Sequence, residues 1–216
     1  GGILARSPLP SVQTVGHIGD SRENLGFIGT NGVFHFATGD TALANNGTPF
    51  GLTFFTGARL THYNFAVAGA TSQYVVDSQL ANAIAANLDA YSLIVAINDP
   101  FTGDVTLANI TTTVDAVRRI GKLIMLHTDM PNASATAGTL ARMKIINEGV
   151  RALARRYPES VILIDAKSAF SDPETAGGIA YSSASGRDLT YSTDDTHQNG
   201  AGGLILSYMQ AQALRS

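Results

Sequence analysis

The amino-acid sequence contains neither cysteine nor tryptophan in 216 residues, and it is poor in charge. Without cysteine, the chain forms no disulfide, no thiolate metal site and no cysteine nucleophile. Charged residues make up only 14% of the chain and the net charge is −3, so the sequence lacks the basic surface that nucleic-acid binding requires. No apolar run is as long as the roughly 18 residues of a membrane-spanning helix. The composition therefore argues against a nucleic-acid partner and against a membrane span.

The remaining composition is that of a globular domain. The chain is 44% hydrophobic, which is enough for one core, and we expect a single domain over residues 1–216. It begins with Gly1 rather than an initiator methionine, which predicts a trimmed or processed chain, or a domain excised from a larger multidomain protein. The composition does not fix the compartment, and a secreted or extracellular location is the working expectation.

Five short apolar runs predict buried strands, and helical patterns lie between or after them. Residues 92–97 and 161–164 are apolar without alternation, as in strands that are covered on both faces. This alternation of strands and helices predicts an α/β fold with a parallel sheet of about five strands. The predicted strands are residues 12–18, 61–67, 92–97, 122–127 and 160–165, and the predicted helices lie at 80–88, 105–120, 140–157 and 202–214.

Two long segments interrupt this alternation. Residues 22–60 are rich in glycine and hold six of the nine phenylalanines, and we expect an insertion that forms a small subdomain with a hairpin. Residues 167–196 form a polar stretch before the last helix. Long loops in compact domains are often functional, so both segments are candidates to border a site.

Residues suited to acyl transfer follow the predicted strands. Ligands of open parallel α/β sheets bind beyond the carboxyl ends of the strands, so groups that follow different strands meet at one edge. Acyl transfer needs a hydroxyl nucleophile, an imidazole base, a carboxylate to orient it and donors for the oxyanion. The groups at this edge are Gly19-Asp20-Ser21, Ala68-Gly69-Ala70-Thr71, Asn98-Asp99, Thr128-Asp129 and Asp194-Asp195-Thr196-His197.

The order of these groups resembles the SGNH (GDSL-type) hydrolases. Each block is weak alone, but four blocks in family order, each after a predicted strand or before the last helix, are specific together. The resemblance implies a flavodoxin-like three-layer α/β/α sandwich, with no cofactor and no metal. The matching blocks are Gly19-Asp20-Ser21, Asn64-Phe65-Ala66-Val67-Ala68-Gly69-Ala70-Thr71, Ala96-Ile97-Asn98-Asp99 and Asp194-Asp195-Thr196-His197.

The resemblance also assigns roles. It makes Ser21 the nucleophile, His197 the base and Asp194 its partner, with the neighbouring Asp195 as the substitute if the register differs. It places the oxyanion hole at the Ser21 N–H, the Gly69 N–H and the side-chain amide of Asn98. The implied activity is that of a serine esterase.

The loops expected at the site predict the substrate class. Residues 21–24, 69–73 and 182–188 are small and polar, which favours short acyl groups such as acetyl and an alcohol rich in hydroxyls. We therefore expect the substrate to be a small-molecule or polysaccharide ester, and O-acetyl groups of carbohydrates are candidates. The absence of tryptophan weakens any argument for sugar stacking, and Tyr74, Tyr181 and Tyr191 remain candidate contacts.

Two residues depart from the family pattern. Ala96 replaces the usual glycine of the third block, a small change if its φ is negative. Arg22 follows the nucleophile where a smaller or apolar residue is common, and we expect it either to bias the site toward polar or anionic substrates or to point to solvent.

Two other functions stay open on the residues alone. One is a metal-dependent phosphoesterase and the other is a catalytically silent carbohydrate-binding domain. Ser21 is also a plausible helix cap. We expect the histidines other than His197 to be structural or exposed; they are His17, His35, His62 and His127. The oxygen and nitrogen ligands available for the metal alternative are Asp20, Asn98, Asp99, Asp129, Asp194 and His197.

Overall fold

A six-stranded sheet forms the centre of the protein in the computed structural model, in which the described residues are 12–24, 33–35, 48–130, 136–170, 197–198 and 200–215. The strand order is β2-β3-β1-β4-β5-β6, and all neighbours are parallel except β2 and β3. The five predicted strands are all present, so the predicted parallel sheet is confirmed. The strands are β1 (Thr14–Gly19), β2 (Val33–His35), β3 (Thr61–Asn64), β4 (Ala90–Ile94), β5 (Leu123–His127) and β6 (Val161–Ile164).

Eight α-helical segments are described with these strands, and the four predicted helices are among them. A π-helical segment, Val75–Gln79, joins α3 to α4. Helix α6 begins where the Thr136 hydroxyl accepts a hydrogen bond from the Thr139 N–H, and α4 ends at Asn87 in the left-handed region. The helices are α1 (Ser21–Asn24), α2 (Thr48–Thr56), α3 (Ser72–Tyr74), α4 (Leu80–Ala86), α5 (Gly103–Arg119), α6 (Ala137–Arg156), α7 (Ala166–Ala169) and α8 (Gly200–Arg215).

The helices cover both faces of the sheet, which confirms the expected α/β/α sandwich. Side chains of α4, α5 and α6 bury Ile18, Leu93 and Ile124 on one face. On the other face, α2 and α8 pack over Val15 and Met125. Because successive side chains of a strand point to opposite faces, the central strands are buried on both faces, as the sequence pattern indicated.

The described parts of residues 22–60 belong to this sandwich. Strand β2 pairs antiparallel with β3 at the sheet edge, and α2 packs on α8. The rest of this Phe-rich segment lies outside the described residues. Among the helices that are described, none has the length and apolar character needed to cross a membrane.

Candidate active site

The turn that carries Ser21 follows β1 at the carboxyl edge of the sheet. Gly19 has a φ of +138°, and a Cβ at this position would lie 1.9 Å from the carbonyl oxygen of Ile94 on β4. Only glycine therefore fits, because both the backbone conformation and the space exclude a side chain. The Asp20 N–H donates to the same Ile94 carbonyl at 3.0 Å, and α1 begins at Ser21. This tight turn sets Ser21 at the end of the central strand.

Ser21 and His197 are in hydrogen-bonding contact although they are far apart in the chain. The Ser21 Oγ lies 2.8 Å from the His197 Nε2, and both residues are partly exposed. An Nε2 without a proton would accept the hydroxyl hydrogen at this distance. The two residues that the sequence blocks nominated are thus brought together at hydrogen-bonding distance.

The remaining members of the last block are not described. Asp194 and its substitute Asp195 lie outside the described residues, as do Tyr181 and Tyr191. The assignment of Asp194 as the partner of His197 therefore stays a prediction.

The turns after β3 and β4 hold the two other candidate oxyanion donors. Gly69 has a φ of +79°, and a Cβ there would meet nothing within 4 Å, so this position needs glycine for its conformation and not for space. The Asn98 Nδ2 donates to the carbonyl of Ala70 at 3.2 Å. The two turns are therefore linked, and the second hydrogen on Nδ2 is not required by that bond.

The carboxylate of Asp99 holds the Asn98 turn in place through hydrogen bonds. The sequence blocks did not indicate this role. The carboxylate accepts hydrogen bonds from the Ser72 N–H at 2.6 Å, the Ser72 hydroxyl at 2.5 Å and the Thr106 hydroxyl at 2.6 Å. It is also buried. These three donors occupy the carboxylate, which does not favour its use as a metal ligand.

Ala96 is in a conformation that favours glycine. Its φ is +144° and its side chain is fully buried. The expectation that alanine would be a small change depended on a negative φ, and that expectation was wrong. A non-glycine residue in this region carries backbone strain, which here lies two residues before Asn98.

Arg22 neither points to solvent nor faces a substrate, so both expectations for it were wrong. It is fully buried, and its guanidinium forms an ion pair with Asp129 in the turn after β5. The Asp129 N–H in turn donates to the Asn147 side chain at 2.6 Å. The pair ties the turn that carries Ser21 to β5, and nothing in the sequence pattern distinguished Arg22 from an exposed arginine.

Asp20 and Asp129 are two buried carboxyls that interact with the charge of Arg22. Burial raises the pKa of Asp20 from its ordinary value to about 7, against the opposing charge of Arg22. Burial also raises the pKa of Asp129, again against Arg22. The Asp20 side chain accepts from the Arg22 N–H at 2.9 Å, which makes it an anchor of the turn.

Buried polar side chains form a continuous series of contacts that ends at Glu23 in α1. Thr53 Oγ1 lies 2.9 Å from His62 Nε2, His62 Nδ1 lies 2.9 Å from His17 Nε2, and His17 Nδ1 lies 2.8 Å from Glu23 Oε2. Burial opposes the ionisation of Glu23, but His17 and the other neighbours outweigh it and lower the pKa of Glu23 below its ordinary value. His17 and His62 are therefore structural, as expected, while the sequence blocks did not indicate Glu23.

His127, on β5, belongs to the same buried polar region. Its Nε2 lies 3.0 Å from the Gln210 Nε2 and 3.2 Å from the Ser92 hydroxyl, which also donates to Glu23. His127 is buried and structural, as expected. The side chain of His35 is outside the described set.

A groove borders the Gly69 turn. It has a volume of about 410 Å³ including the part open to solvent, and it is lined by residues 67–71 and Tyr74. Val67 and Tyr74 are both more than two-fifths exposed. Tyr74, one of the three candidate contacts, therefore lies beside a candidate oxyanion donor.

The described side chains do not gather as a metal site. Among them, no group of three or more His, Asp or Glu residues is placed to hold an ion. Asp129 is paired with Arg22 and Asp99 is occupied by its donors. These contacts do not favour the phosphoesterase alternative.

Comparisons with known proteins bear on the fold. No family model and no curated protein matches the sequence. Among solved structures, Axe2, an acetylxylan esterase from Geobacillus stearothermophilus, matches with a TM-score of 0.71 and 17% identity over 96% of each chain. A protein described as lipolytic and of the G-D-S-L family, from Desulfitobacterium hafniense DCB-2, has a TM-score of 0.66 and 15% identity over 93% of this chain and 99% of its own.

A protein described as a GDSL-like lipase, from Parabacteroides merdae ATCC 43184, has a TM-score of 0.68 and 14% identity over 95% of this chain and 97% of its own. These matches cover nearly the whole of each chain, so they concern the complete architecture. This chain therefore has the fold of the GDSL-type (SGNH) hydrolases, which confirms the resemblance that its sequence blocks indicated.

Proposed function

We propose that the protein is a serine esterase in which Ser21 is the nucleophile and His197 its base. The observation that carries the proposal is the 2.8 Å distance between the Ser21 Oγ and the His197 Nε2. The pair lies at the carboxyl edge of a parallel sheet, where ligands of such folds bind. The likeness to G-D-S-L proteins and to an acetylxylan esterase supports the same reaction class.

The proposed reaction proceeds through a covalent acyl-enzyme. The Ser21 Oγ attacks the carbonyl carbon of the ester while its proton moves to the His197 Nε2. The tetrahedral intermediate collapses, the bond to the alcohol oxygen breaks, and the proton passes from His197 to that oxygen. Water then attacks the acyl carbon, with His197 taking its proton and returning it to the Ser21 Oγ as the acid leaves.

The negative oxygen of the intermediate needs hydrogen-bond donors that are already in place. In the proposal these are the Ser21 N–H, the Gly69 N–H and the Asn98 amide, and the carboxylate of Asp194 orients His197. The bond between Asn98 and Ala70 supports this arrangement, because it holds two of the three donors on linked turns.

For the substrate, we propose short acyl esters of polar alcohols, with O-acetylated carbohydrates as natural candidates. An acyl chain of eight or more carbons needs an apolar groove, since each buried methylene contributes about 0.8 kcal/mol. The described groove beside Gly69 is lined by residues 67–71 and Tyr74, so no leucine, isoleucine or methionine side chain lines it. The activity in the name of Axe2 points the same way.

The test uses Ser21→Ala and His197→Ala, with the exposed Ser78→Ala as the matched control. A fluorophosphonate probe should label the wild type and Ser78→Ala but not Ser21→Ala. Hydrolysis of p-nitrophenyl acetate should fall on the order of a millionfold in both site variants, because the two residues act as a unit. Wild type should cleave p-nitrophenyl octanoate more slowly than the acetate. Labelling that persists in folded Ser21→Ala would contradict the proposal.

A further inference from the structure

Two buried glutamine side chains bind the main chain immediately before and after the Asp20–Ser21 pair. The Gln79 Oε1 accepts from the Gly19 N–H at 2.9 Å, and its Nε2 donates to the Gly19 carbonyl at 2.8 Å. The Gln198 Nε2 donates to the carbonyl of Arg22 at 2.7 Å. Both side chains are almost completely shielded from solvent. The nucleophile turn is therefore held at each end by a primary amide.

The Gln79 amide satisfies the peptide groups of a residue that departs from strand geometry. Gly19 has a φ of +138°, and buried main-chain N–H and C=O groups need partners. The amide supplies a donor and an acceptor side by side, so it pairs with Gly19 as a neighbouring strand would. The Val67 N–H also donates to the Gly19 carbonyl, at 3.1 Å. The Gln79 side chain and the Val67 N–H therefore both hold the bend that precedes Ser21.

Gln79 reaches Gly19 from the end of a π-helical segment. Gln79 is the last residue of Val75–Gln79. Each residue of an α-helix turns about 100° around the axis, so the wider π turns change the face on which the following side chains lie. Val75 and Gln79, the first and last residues of the segment, are both buried, Val75 in the apolar core and Gln79 against Gly19 of β1. Short π segments are rare and recur at functional sites, which fits a role in placing this side chain.

Gln198 connects the two reacting side chains. It directly follows His197 in the chain, and its amide is bound to the residue that directly follows Ser21. A change in this bond would move the base relative to the nucleophile. Arg22 itself is held by its ion pair with Asp129, so the carbonyl that Gln198 binds is a fixed point.

We propose that Gln79 and Gln198 are positioning residues that hold the nucleophile turn and the base in register for attack. The inference rests on the proposed esterase function. Neither side chain touches the substrate; each acts through Ser21 or His197. Reacting groups must meet within a narrow range of distance, and a misplacement of about 1 Å can reduce the rate roughly a hundredfold.

The test replaces each glutamine by methionine, which keeps the length of the side chain and removes its hydrogen bonds. Tyr91→Phe is the matched control, because the buried Tyr91 hydroxyl also bridges main-chain groups, accepting from Leu88 at 3.0 Å and donating to Ala83 at 2.8 Å. In Gln79→Met and Gln198→Met, kcat for p-nitrophenyl acetate should fall roughly ten- to a hundredfold with KM within about twofold. Tyr91→Phe should lower the unfolding temperature similarly and keep kcat within about twofold.

Hydrogen exchange of the peptide that contains Gly19 to Arg22 gives a second readout that does not depend on activity. Exchange should accelerate in both glutamine variants and stay unchanged in Tyr91→Phe. If Gln79→Met does not fold, Gln198→Met tests the inference by the same two readouts. Unchanged kcat, or a change in KM alone, in folded variants overturns the inference while the esterase function stands. Absence of activity and labelling in the wild type would instead refute the function.

Discussion

Asn98 illustrates how a single amide serves both structure and the proposed chemistry. One of its hydrogens holds the Ala70 carbonyl at 3.2 Å, and the carboxylate of the adjacent Asp99 fixes the turn through Ser72 and Thr106. A side chain held in this way needs little reorganisation when charge develops on the substrate, which is the condition for electrostatic stabilisation of a transition state.

For Asn98→Ala we expect kcat to fall about a hundredfold to a thousandfold, equivalent to roughly 3–4 kcal/mol, with little change in KM. The reason is that the oxyanion exists only in the transition state and not in the bound ester. Steady-state hydrolysis of p-nitrophenyl acetate measures both constants. Asn82→Ala, on the exposed side of α4, is the control and should match the wild type. An increase in KM alone would make Asn98 a binding residue.

For Ala96 we predict a gain of stability on substitution, whereas for Asn98 we predict a loss of activity. Its positive φ carries strain of about 1–3 kcal/mol, and glycine would relieve it at an entropic cost of about 0.5–1 kcal/mol in the unfolded chain. We therefore expect Ala96→Gly to raise the free energy of unfolding by about 1 kcal/mol and the melting temperature by roughly 2–4 °C. Thermal unfolding followed by circular dichroism measures this.

Ala90→Gly is the control for this substitution, because Ala90 is equally buried, lies in β4 and does not have a positive φ. It should lower the melting temperature, since glycine weakens an ordinary strand. A similar decrease in both variants would mean that Ala96 is not strained.

Strands and helices were predictable because their patterns are local. The strands β4 and β6 form at the apolar runs that predicted them, although β4 begins and ends a few residues earlier than the predicted 92–97. The π segment was not predictable, because the repeat of Leu80 and Ile84 indicates only the α-helix that follows it. Its last residue, Gln79, binds the distant Gly19, which no window of sequence around Gln79 contains.

The same distinction explains the site. The blocks nominated Ser21 and His197, which the fold brings into contact, but they gave no information on side chains that hold those residues from other elements. Arg22 was misjudged for this reason: its partner Asp129 lies more than one hundred residues away, and only the fold brings them together. Glu23, Gln79 and Gln198 are recognisable only from their contacts.

Helix α3 is where the substrate proposal can be tested. The first turn is fixed because the Thr71 hydroxyl accepts from the Tyr74 N–H at 3.2 Å, so the exposed ring of Tyr74 is presented beside the Gly69 turn. For Tyr74→Ala we expect kcat/KM on acetylated xylo-oligosaccharides to fall about tenfold, because an aromatic contact contributes roughly 0.5–1.5 kcal/mol beyond its buried area.

Tyr74→Phe should retain most of that activity, and ethyl acetate, which has no ring to contact the tyrosine, should be hydrolysed equally by all variants. Tyr208→Ala, which removes an exposed tyrosine from α8, is the control for general effects of the substitution. An equal loss on both substrates would place Tyr74 in the support of the Gly69 turn rather than in contact with the sugar.

Over the entire chain, buried titratable groups link stability to pH, and they do so with opposite signs. Burial lowers the pKa of His127 to about 4 and holds that of His62 well below its ordinary value, so both are neutral when folded. As pH falls below about 6.5, the unfolded chain binds protons that the folded chain does not, and stability decreases. Asp20 has the opposite effect. Its pKa is about 7 in the folded chain and about 4 in the unfolded chain, so between these pH values the folded chain holds a proton that the unfolded chain has released.

Two substitutions should therefore change the acid branch of the stability curve in opposite directions. In His127→Gln the loss of stability between pH 6.5 and 4 should be smaller than in the wild type, by on the order of 3 kcal/mol over that window. In Asp20→Asn it should be larger, because the stabilising protonation of the folded state on acidification is removed. Urea unfolding at pH 7, 6, 5 and 4 measures both free-energy curves, each relative to its own value at pH 7. The paired design matters because any substitution in the core lowers stability at every pH, whereas only a titrating group changes the slope. If both variants change the pH dependence of the unfolding free energy in the same direction, these buried groups do not control acid stability, and exposed carboxylates must control it instead.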